Sequence, residues 1–482
     1  MSTDETTAKA AKASLWFAIC SIAQKCIGLI VIPIYTRLLS EPEYGDYVVF
    51  QSWTEIAAIL ITLNLGSYVF FNGMMKYEDD QDGFAASMLG LTGVTGLLWL
   101  GAFFAAPSFW SKLLGLAAPY VFLLVLRCII SPCYSYWSAK LRYEFQFKPV
   151  VALTLLLTIA TPVISIPAIW FSTDKLAAAL VAQVAVMAVV YLVPLVSIVS
   201  KSRKFFCVAY WRYALRFNLP LIPHLLSTVV LQQCDRIMIA DLCGAAYAAI
   251  YNVAYSAGLA MSFIHSAIVQ ALTPWMYQLI KEKQYGKVQP VAASLLILIG
   301  GASFLLTLFA PEVMAVLAPS SYQEGIYAIP PVAACVMLMT AFNLFVTVEY
   351  FYEETLWVMF ASIAAAVLNV LLNLWLLPMF GFIAASYTTM FCYFALVFGH
   401  YLLMCRAIRR HNPGMVLFNA PRIFCIVLAF MAATAACSVI YPYPWVRYAL
   451  VVMFAAAVCF KRAWIVGTIK SILQIKGRWS YG

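Results

Sequence analysis

Residues 14–34 read SLWFAICSIAQKCIGLIVIPI, and this stretch decides the fold. Wound as an α-helix at 1.5 Å per residue, an apolar run of this length covers about 30 Å, the thickness of a bilayer's hydrocarbon core. It is too long for the hydrophobic part of a cleavable signal peptide and no small-residue cleavage site follows it, so it is expected to remain as the first membrane span. Outward from it, apolar runs recur at 47–71, 85–106, 118–138, 149–171, 176–199, 217–242, 246–272, 291–317, 327–351, 356–378, 382–405, 421–441 and 443–460. A membrane barrel would instead alternate apolar and polar residues in runs of about ten. The chain has 482 residues, 64% hydrophobic and 10% charged, against roughly 45–50% and about 25% in soluble domains. A soluble protein so composed would expose more apolar surface than soluble monomers tolerate. Soluble enzymes, fibrous proteins and disordered chains are excluded; the expected fold is an all-α polytopic membrane protein with about fourteen transmembrane helices.

The formal net charge of +10 has to be read by position, because cytoplasmic loops of membrane proteins concentrate Lys and Arg. With the N-terminus inside, 23 of the 30 basic residues fall on the inner side, among them Lys140, Arg142, Lys201, Arg203, Lys204, Arg409 and Arg410. Only Arg37, Lys112, Lys175 and Arg447 fall outside, and Lys25, Arg127 and Arg236 lie within spans. The expectation from this split is a multi-pass membrane protein with both termini in the cytoplasm. The basic excess is then a topology signal and an attraction to anionic membrane lipids, and no nucleic-acid partner is needed. The thirteen cysteines form no Cys-x-x-Cys pair and no zinc spacing, so no metal site is expected.

Transporters are often built from repeats. Leu39-Ser40-Glu41-Pro42-Glu43-Tyr44-Gly45-Asp46-Tyr47 turns the first span into the second, and Cys243-Gly244-Ala245-Ala246-Tyr247-Ala248-Ala249-Ile250-Tyr251, 204 positions later, turns the seventh into the eighth. Both are short turns of small residues ending in Tyr at the head of a long span. The segment from Ile32-Pro33-Ile34-Tyr35-Thr36-Arg37 to Gly45 resembles the first-loop signature of the polysaccharide transporter family, which includes Wzx-type O-antigen and capsule repeat-unit flippases. Phe217-Asn218-Leu219-Pro220-Leu221-Ile222-Pro223-His224, continuing to Cys234-Asp235-Arg236, is similar to that family's seventh-span signature. The resemblance implies two six-helix lobes around a central cavity plus two C-terminal helices, alternating access, and outward movement of an undecaprenyl-pyrophosphate-linked oligosaccharide. It implies no cofactor, a proton or sodium gradient as driving force, and pathway partners such as a polymerase and a chain-length regulator. The expected organisation is a cytoplasmic N-terminal segment at 1–13, a first lobe at 14–199 and a basic linker at 200–216. A second lobe at 217–405, a helix pair at 421–460 and an interfacial basic tail at 461–482 complete it.

Ionisable groups inside a span cost about 2.5–3.5 kcal/mol at its centre, so they face water or each other. Lys25, Glu55, Arg127, Asp235 and Arg236 all fall roughly 10–13 Å from the outer ends of their spans, a layer with three basic and two acidic groups. Lys25 with Glu55 is a candidate ion pair, and Asp235 and Arg236 point about 100° apart on one helix. Either these charges hold the helices in register, or Lys25, Arg127, Arg236 and the loop residue Arg37 attract a pyrophosphate, for which the planar guanidinium is well shaped. Glu55, Asp235, Asp241, His224 and His265 are the candidates for charge partners or ion coupling, His because it titrates near neutral pH. Pro220 and Pro223 are hinge candidates, since each removes a backbone donor. Asn218, Gln232 and Gln233 are read as ligands for sugar hydroxyls or neighbouring helices, and Glu349, Glu353 and Glu354 as solvated. Trp99 and Trp110 are read as interface anchors.

With no Walker-type loop, ATP does not drive the process within this chain. A lipid II flippase or a drug exporter of the same superfamily is the nearest alternative. A membrane polymerase or glycosyltransferase is another, but it would want a large outer loop, and the outer loops here are short.

Overall fold

The computed structural model describes residues 3–463 and 466–467, and every regular element among them is a helix. The chain forms two compact units, one ending at Ala249 and the other beginning at Ile250. The first contains α1 (Thr3–Leu38), α2 (Glu41–Thr62), α3 (Tyr68–Lys76), α4 (Gln81–Ala105), α5 (Pro107–Leu114), α6 (Ala118–Tyr143), α7 (Phe147–Phe171), α8 (Lys175–Val190), α9 (Leu192–Lys201), α10 (Val208–Asn218), α11 (Ile222–Leu242) and the start of α12 (Ala245–Gly258). The second holds the rest of α12, then α13 (Ser262–Lys281), α14 (Val288–Leu308), α15 (Ala310–Leu317), α16 (Ile329–Phe351), α17 (Thr355–Phe380), α18 (Ala384–His411), α19 (Ala420–Ile440) and α20 (Pro444–Phe460). Of the tail expected at 461–482, Trp464, Ile465 and everything past Gly467 lie outside the described residues.

Among the described residues twelve stretches, some built from two consecutive helices, are long and apolar enough to cross a membrane, and the chain is a multi-pass membrane protein. Fourteen were expected. The two that fall short do so for physical reasons: α2 carries Asp46, Gln51 and Glu55 along its length, and α20 has only 17 residues. Other boundaries also move. The expected span 47–71 breaks after Thr62, where Leu63 and Asn64 adopt the left-handed conformation at φ 52° and 47°, a region that side chains with a Cβ enter at a cost. The run expected at 291–317 ends at Leu308, and α15 follows as a separate short helix.

The repeat signal has a structural counterpart. Helices α2 and α12 begin at Glu41 and Ala245, 204 positions apart, and both are followed by a break, at 63–67 and at the 3-10 turn Leu259–Met261. Ser40 caps α2: its backbone N–H donates to Glu43 Oε2 at 2.8 Å, the reciprocal contact of a capping box. Inside the first unit the two helix starts touch. A Cβ placed on Gly45 would lie 1.9 Å from the carbonyl oxygen of Ala245, so only glycine permits this approach.

The basic linker at 200–216 is tied down. Residues 202–207 are non-helical, Lys204 Nζ and Tyr210 Oη both donate to Asp80 Oδ2 at 2.7 Å, and Trp211 Nε1 donates to the Ser87 carbonyl at 2.9 Å. Beside them Lys140 pairs with Asp82. In the second unit the core is α16, buried without interruption from Ile329 to Leu338 and again from Leu344 to Glu349, and packed by α13, α14, α18 and α19.

Arg447 at the head of α20 grips Glu312 of α15 through both terminal nitrogens, and Tyr448 Oη donates to the same carboxylate at 2.6 Å. Burial pushes the Glu312 carboxyl up, but these hydrogen bonds outweigh it and hold the group below its ordinary range. A lowered carboxylate stabilises the fold above the unfolded-state value of about 4.3 and loses that contribution as pH falls through the folded one. Glu312→Gln should therefore lower thermal stability at pH 7 and cost progressively less below about pH 4. Since Glu312 is 38% exposed, the loss should be on the order of 1 kcal/mol, as checked by paired melts at pH 7 and pH 3.5.

Candidate functional site

Helix α2 organises the site. Tyr47, Gln51 and Glu55 recur at four-residue spacing and so share one face. The guanidinium of Arg127 on α6 donates to Gln51 Oε1 at 2.6 Å, Gln51 Nε2 donates to Gln183 Oε1 of α8 at 2.9 Å, and Gln183 Nε2 donates to Tyr47 Oη at 2.7 Å. Each amide accepts on one side and donates on the other, which gives the chain Arg127–Gln51–Gln183–Tyr47 a direction. Tyr47 stacks on Tyr44 with ring centroids 5.8 Å apart and meets the edge of Tyr35 of α1 at 5.4 Å. Tyr35 in turn shares a 2.6 Å hydrogen bond with Ser165 of α7. Five helices thus converge on one polar seam.

Arg127 is half-buried, and among the described residues its hydrogen bond to protein goes to a neutral amide. A guanidinium has five N–H donors; most of those of Arg127 are left for another acceptor. Cys128 Sγ approaches the Thr54 carbonyl at 3.8 Å, so the contact of α6 with α2 runs from Gln51, the partner of Arg127, to Thr54, the residue before Glu55. A carboxylate thus stands one helical turn beyond the amide partner of Arg127, on the same face of α2.

Asp235 and Arg236 are both buried on α11, which packs against α2. Arg236 folds back on its own helix, donating to the Gln232 carbonyl at 2.5 Å and to Gln233 Oε1 at 3.3 Å. Ser52 of α2 donates to the same Gln233 oxygen at 3.4 Å, so Gln233 ties helices together. Lys25 and Glu55 are exposed, and among the described residues no ion pair joins them. Arg37 is exposed at the end of α1 and donates to the Pro33 carbonyl at 2.9 Å. Asp241 is exposed at the end of α11.

Around Pro220 and Pro223 the helix is interrupted: α10 ends at Asn218, a 3-10 turn covers Leu219–Leu221, and α11 starts at Ile222. The buried Asn218 amide donates to the Leu63 carbonyl, locking this break to the one that ends α2. His224 sits half-buried at the start of α11 in the first unit. His265 belongs to the second, where Nδ1 shares a 2.9 Å hydrogen bond with Thr340 Oγ1.

Three features escaped the sequence reading. Glu349 is fully buried, against the expectation of a solvated group, with His400 Nδ1 3.0 Å from one carboxylate oxygen and 3.2 Å from the other. The reason is that α16 carries its apolar environment to its last turn. Asn369 and Asn373 of α17 form a buried cluster with Thr388 and Thr389 of α18; the four-residue spacing of the two amides was the available signal. Trp99 and Trp110, read as interface anchors, line with Trp53 an apolar cavity of about 200 Å³ in the first unit. Among the described residues no group of three or more metal-ligating side chains occurs.

Residues 10–280 match the profile of a family described as "Polysaccharide biosynthesis protein". No match is found among curated proteins. Among solved structures, the chain resembles a lipid II flippase MurJ in an inward closed conformation, with 12% identity and a TM-score of 0.66 over 94% of this chain and all of that one. It also resembles an inward-facing multidrug resistance MATE family transporter of the MOP superfamily, with 15% identity and a TM-score of 0.67 over 82% and 99% of the two chains. A MOP superfamily transporter from Pyrococcus furiosus Vc1 is similar at 14% identity and a TM-score of 0.57, over 90% and 96%. At such identities the likeness is one of fold.

Proposed function

We propose that this chain, which belongs to the polysaccharide biosynthesis protein family, is a secondary-active flippase rather than an enzyme. Its cargo on this reading is an undecaprenyl-pyrophosphate-linked oligosaccharide repeat unit, moved by alternating access from the inner to the outer leaflet of a bacterial cytoplasmic membrane for O-antigen, capsule or exopolysaccharide assembly. The observation that carries the reading is Arg127: a half-buried guanidinium held by one neutral amide, with donors left over for an anion. A phosphate passing through a low-dielectric region needs such charge-assisted donors. Arg236, Lys25 and Arg37 are assigned to the same attraction of the pyrophosphate. The 23-to-4 distribution of basic residues supports cytoplasmic termini and entry of cargo from that side. A polymerase and a chain-length regulator would act on the delivered unit.

The test is genetic. A strain lacking the gene should accumulate lipid-linked repeat units facing the cytoplasm, and the wild-type gene should clear them. Normal surface polysaccharide in the deletion strain, with no accumulated intermediate, would overturn the reading.

A further inference from the structure

We propose that the buried Glu349–His400 pair in the second unit is the site where a driving proton binds. The inference rests on the flippase reading only for what the proton is exchanged against. Glu349 is 0% exposed and His400 1%, and the imidazole nitrogen bridges both carboxylate oxygens. The ring lies against Phe342 at 5.8 Å, which also stacks on Tyr393, and Phe345 packs on Tyr401 next in sequence to His400. Of the elements packed on α16, α14 carries the buried apolar residues Ala292, Leu295 and Ile299, and α19 sets Phe424 against Tyr401. Helix α13 contributes His265, which is engaged by Thr340, and in the first turn of α17 Trp357 lies under Arg406 of α18. The other charge acting on Glu349 is Glu354, itself held by Arg410 at 3.3 Å and His411 at 3.4 Å.

Counting protons shows what the pair can do. With none it carries one net negative charge, with two one net positive charge, and with one it is neutral overall. Either charged state, sealed in apolar packing, costs far more than the neutral one. The closed arrangement therefore retains one proton, and exchange with water requires α16 and α18 to part. That requirement is the link a gradient-driven carrier needs: protonation and conformation become a single equilibrium.

The experiment uses the full chain in nanodiscs and in proteoliposomes. Hydrogen exchange of α16 and α18 amides, followed from pH 5 to pH 9, should show a pH-dependent step in the wild type. Glu349→Gln should abolish that step, and Glu282→Gln, on an exposed turn, should keep it. In proteoliposomes, an imposed pH gradient should accelerate flipping of a fluorescent undecaprenyl-pyrophosphate oligosaccharide, and Glu349→Gln should reduce the acceleration at least tenfold. His400→Gln should move the step; it carries the same test if Glu349→Gln does not fold. A wild-type pH profile and gradient response in Glu349→Gln, or in His400→Gln where only that variant folds, would overturn the proton site while leaving the flippase reading intact. A pH step that Glu349→Gln removes, in a protein that flips no glycolipid, would support the site and sink the flippase reading.

Discussion

Replacing Arg127 by glutamine should slow flipping of a lipid pyrophosphate about ten- to a hundredfold with little change in folding. The size follows from hydrogen bonds to a charged group, about 1.5–3 kcal/mol, at 1.4 kcal/mol per factor of ten. Folding should survive because among the described residues Arg127 contributes one hydrogen bond to the protein, to Gln51, and Gln51 keeps its second partner Gln183. Arg127→Lys should recover part of the rate, since it restores the charge without the planar fork. Gln51→Leu should fall between wild type and Arg127→Gln, because the guanidinium stays but loses the amide that aims it. Transport in proteoliposomes, normalised to folded protein, checks the series. A wild-type rate in Arg127→Gln would make the arginine a purely structural group.

Substitution of Gly45 should be the most damaging small change in the first unit. Its Cβ would meet the Ala245 carbonyl at 1.9 Å; a Cβ is fixed to the backbone of α2 and the carbonyl to the backbone at the start of α12, so neither can rotate away. Overpacking of this kind costs about 1–3 kcal/mol, occasionally more, and Gly45→Val should exceed Gly45→Ala. Because the obstruction is the carbonyl oxygen rather than the Ala245 methyl, Ala245→Gly should not rescue it. Gly101→Ala is the control, with nothing within 4 Å of the added atom. Thermal unfolding of detergent-solubilised protein reads all four variants. Equal stability of Gly45→Val and wild type would mean that α2 and α12 do not approach as described.

How much of this was legible beforehand varies with the physics involved. A 21-residue apolar run announces a membrane helix, because length and hydropathy are local properties. The head of α2 carried a signal that was missed: Ser40, Pro42 and Glu43 are capping residues in sequence order, yet the apolar run put the start of the span at 47 instead of Glu41. The break after Thr62 carried none, because Leu63 and Asn64 reach left-handed angles without a proline or glycine at either position. The break at Leu219–Leu221 was signalled by Pro220 and Pro223. Among the site residues, charges inside apolar runs flagged Arg127 and Arg236; Arg236 turns back to its own helix, but the amide partner of Arg127 lies across the fold. Gln51 and Gln183 are 132 positions apart, and no periodicity links them. Glu349 was misjudged for the same reason: its place near a helix end looked solvated until His400, 51 positions away, closed over it.

The most direct measurement of the central claim is the dependence of flipping on headgroup charge. Purified protein in proteoliposomes would be given two lipids with the same undecaprenyl tail and oligosaccharide, one linked through pyrophosphate and one through an uncharged ether. The account predicts rapid flipping of the pyrophosphate lipid, at least tenfold slower flipping of the neutral one, and collapse of that difference in Arg127→Gln. Equal rates for the two lipids in the wild-type protein would contradict it.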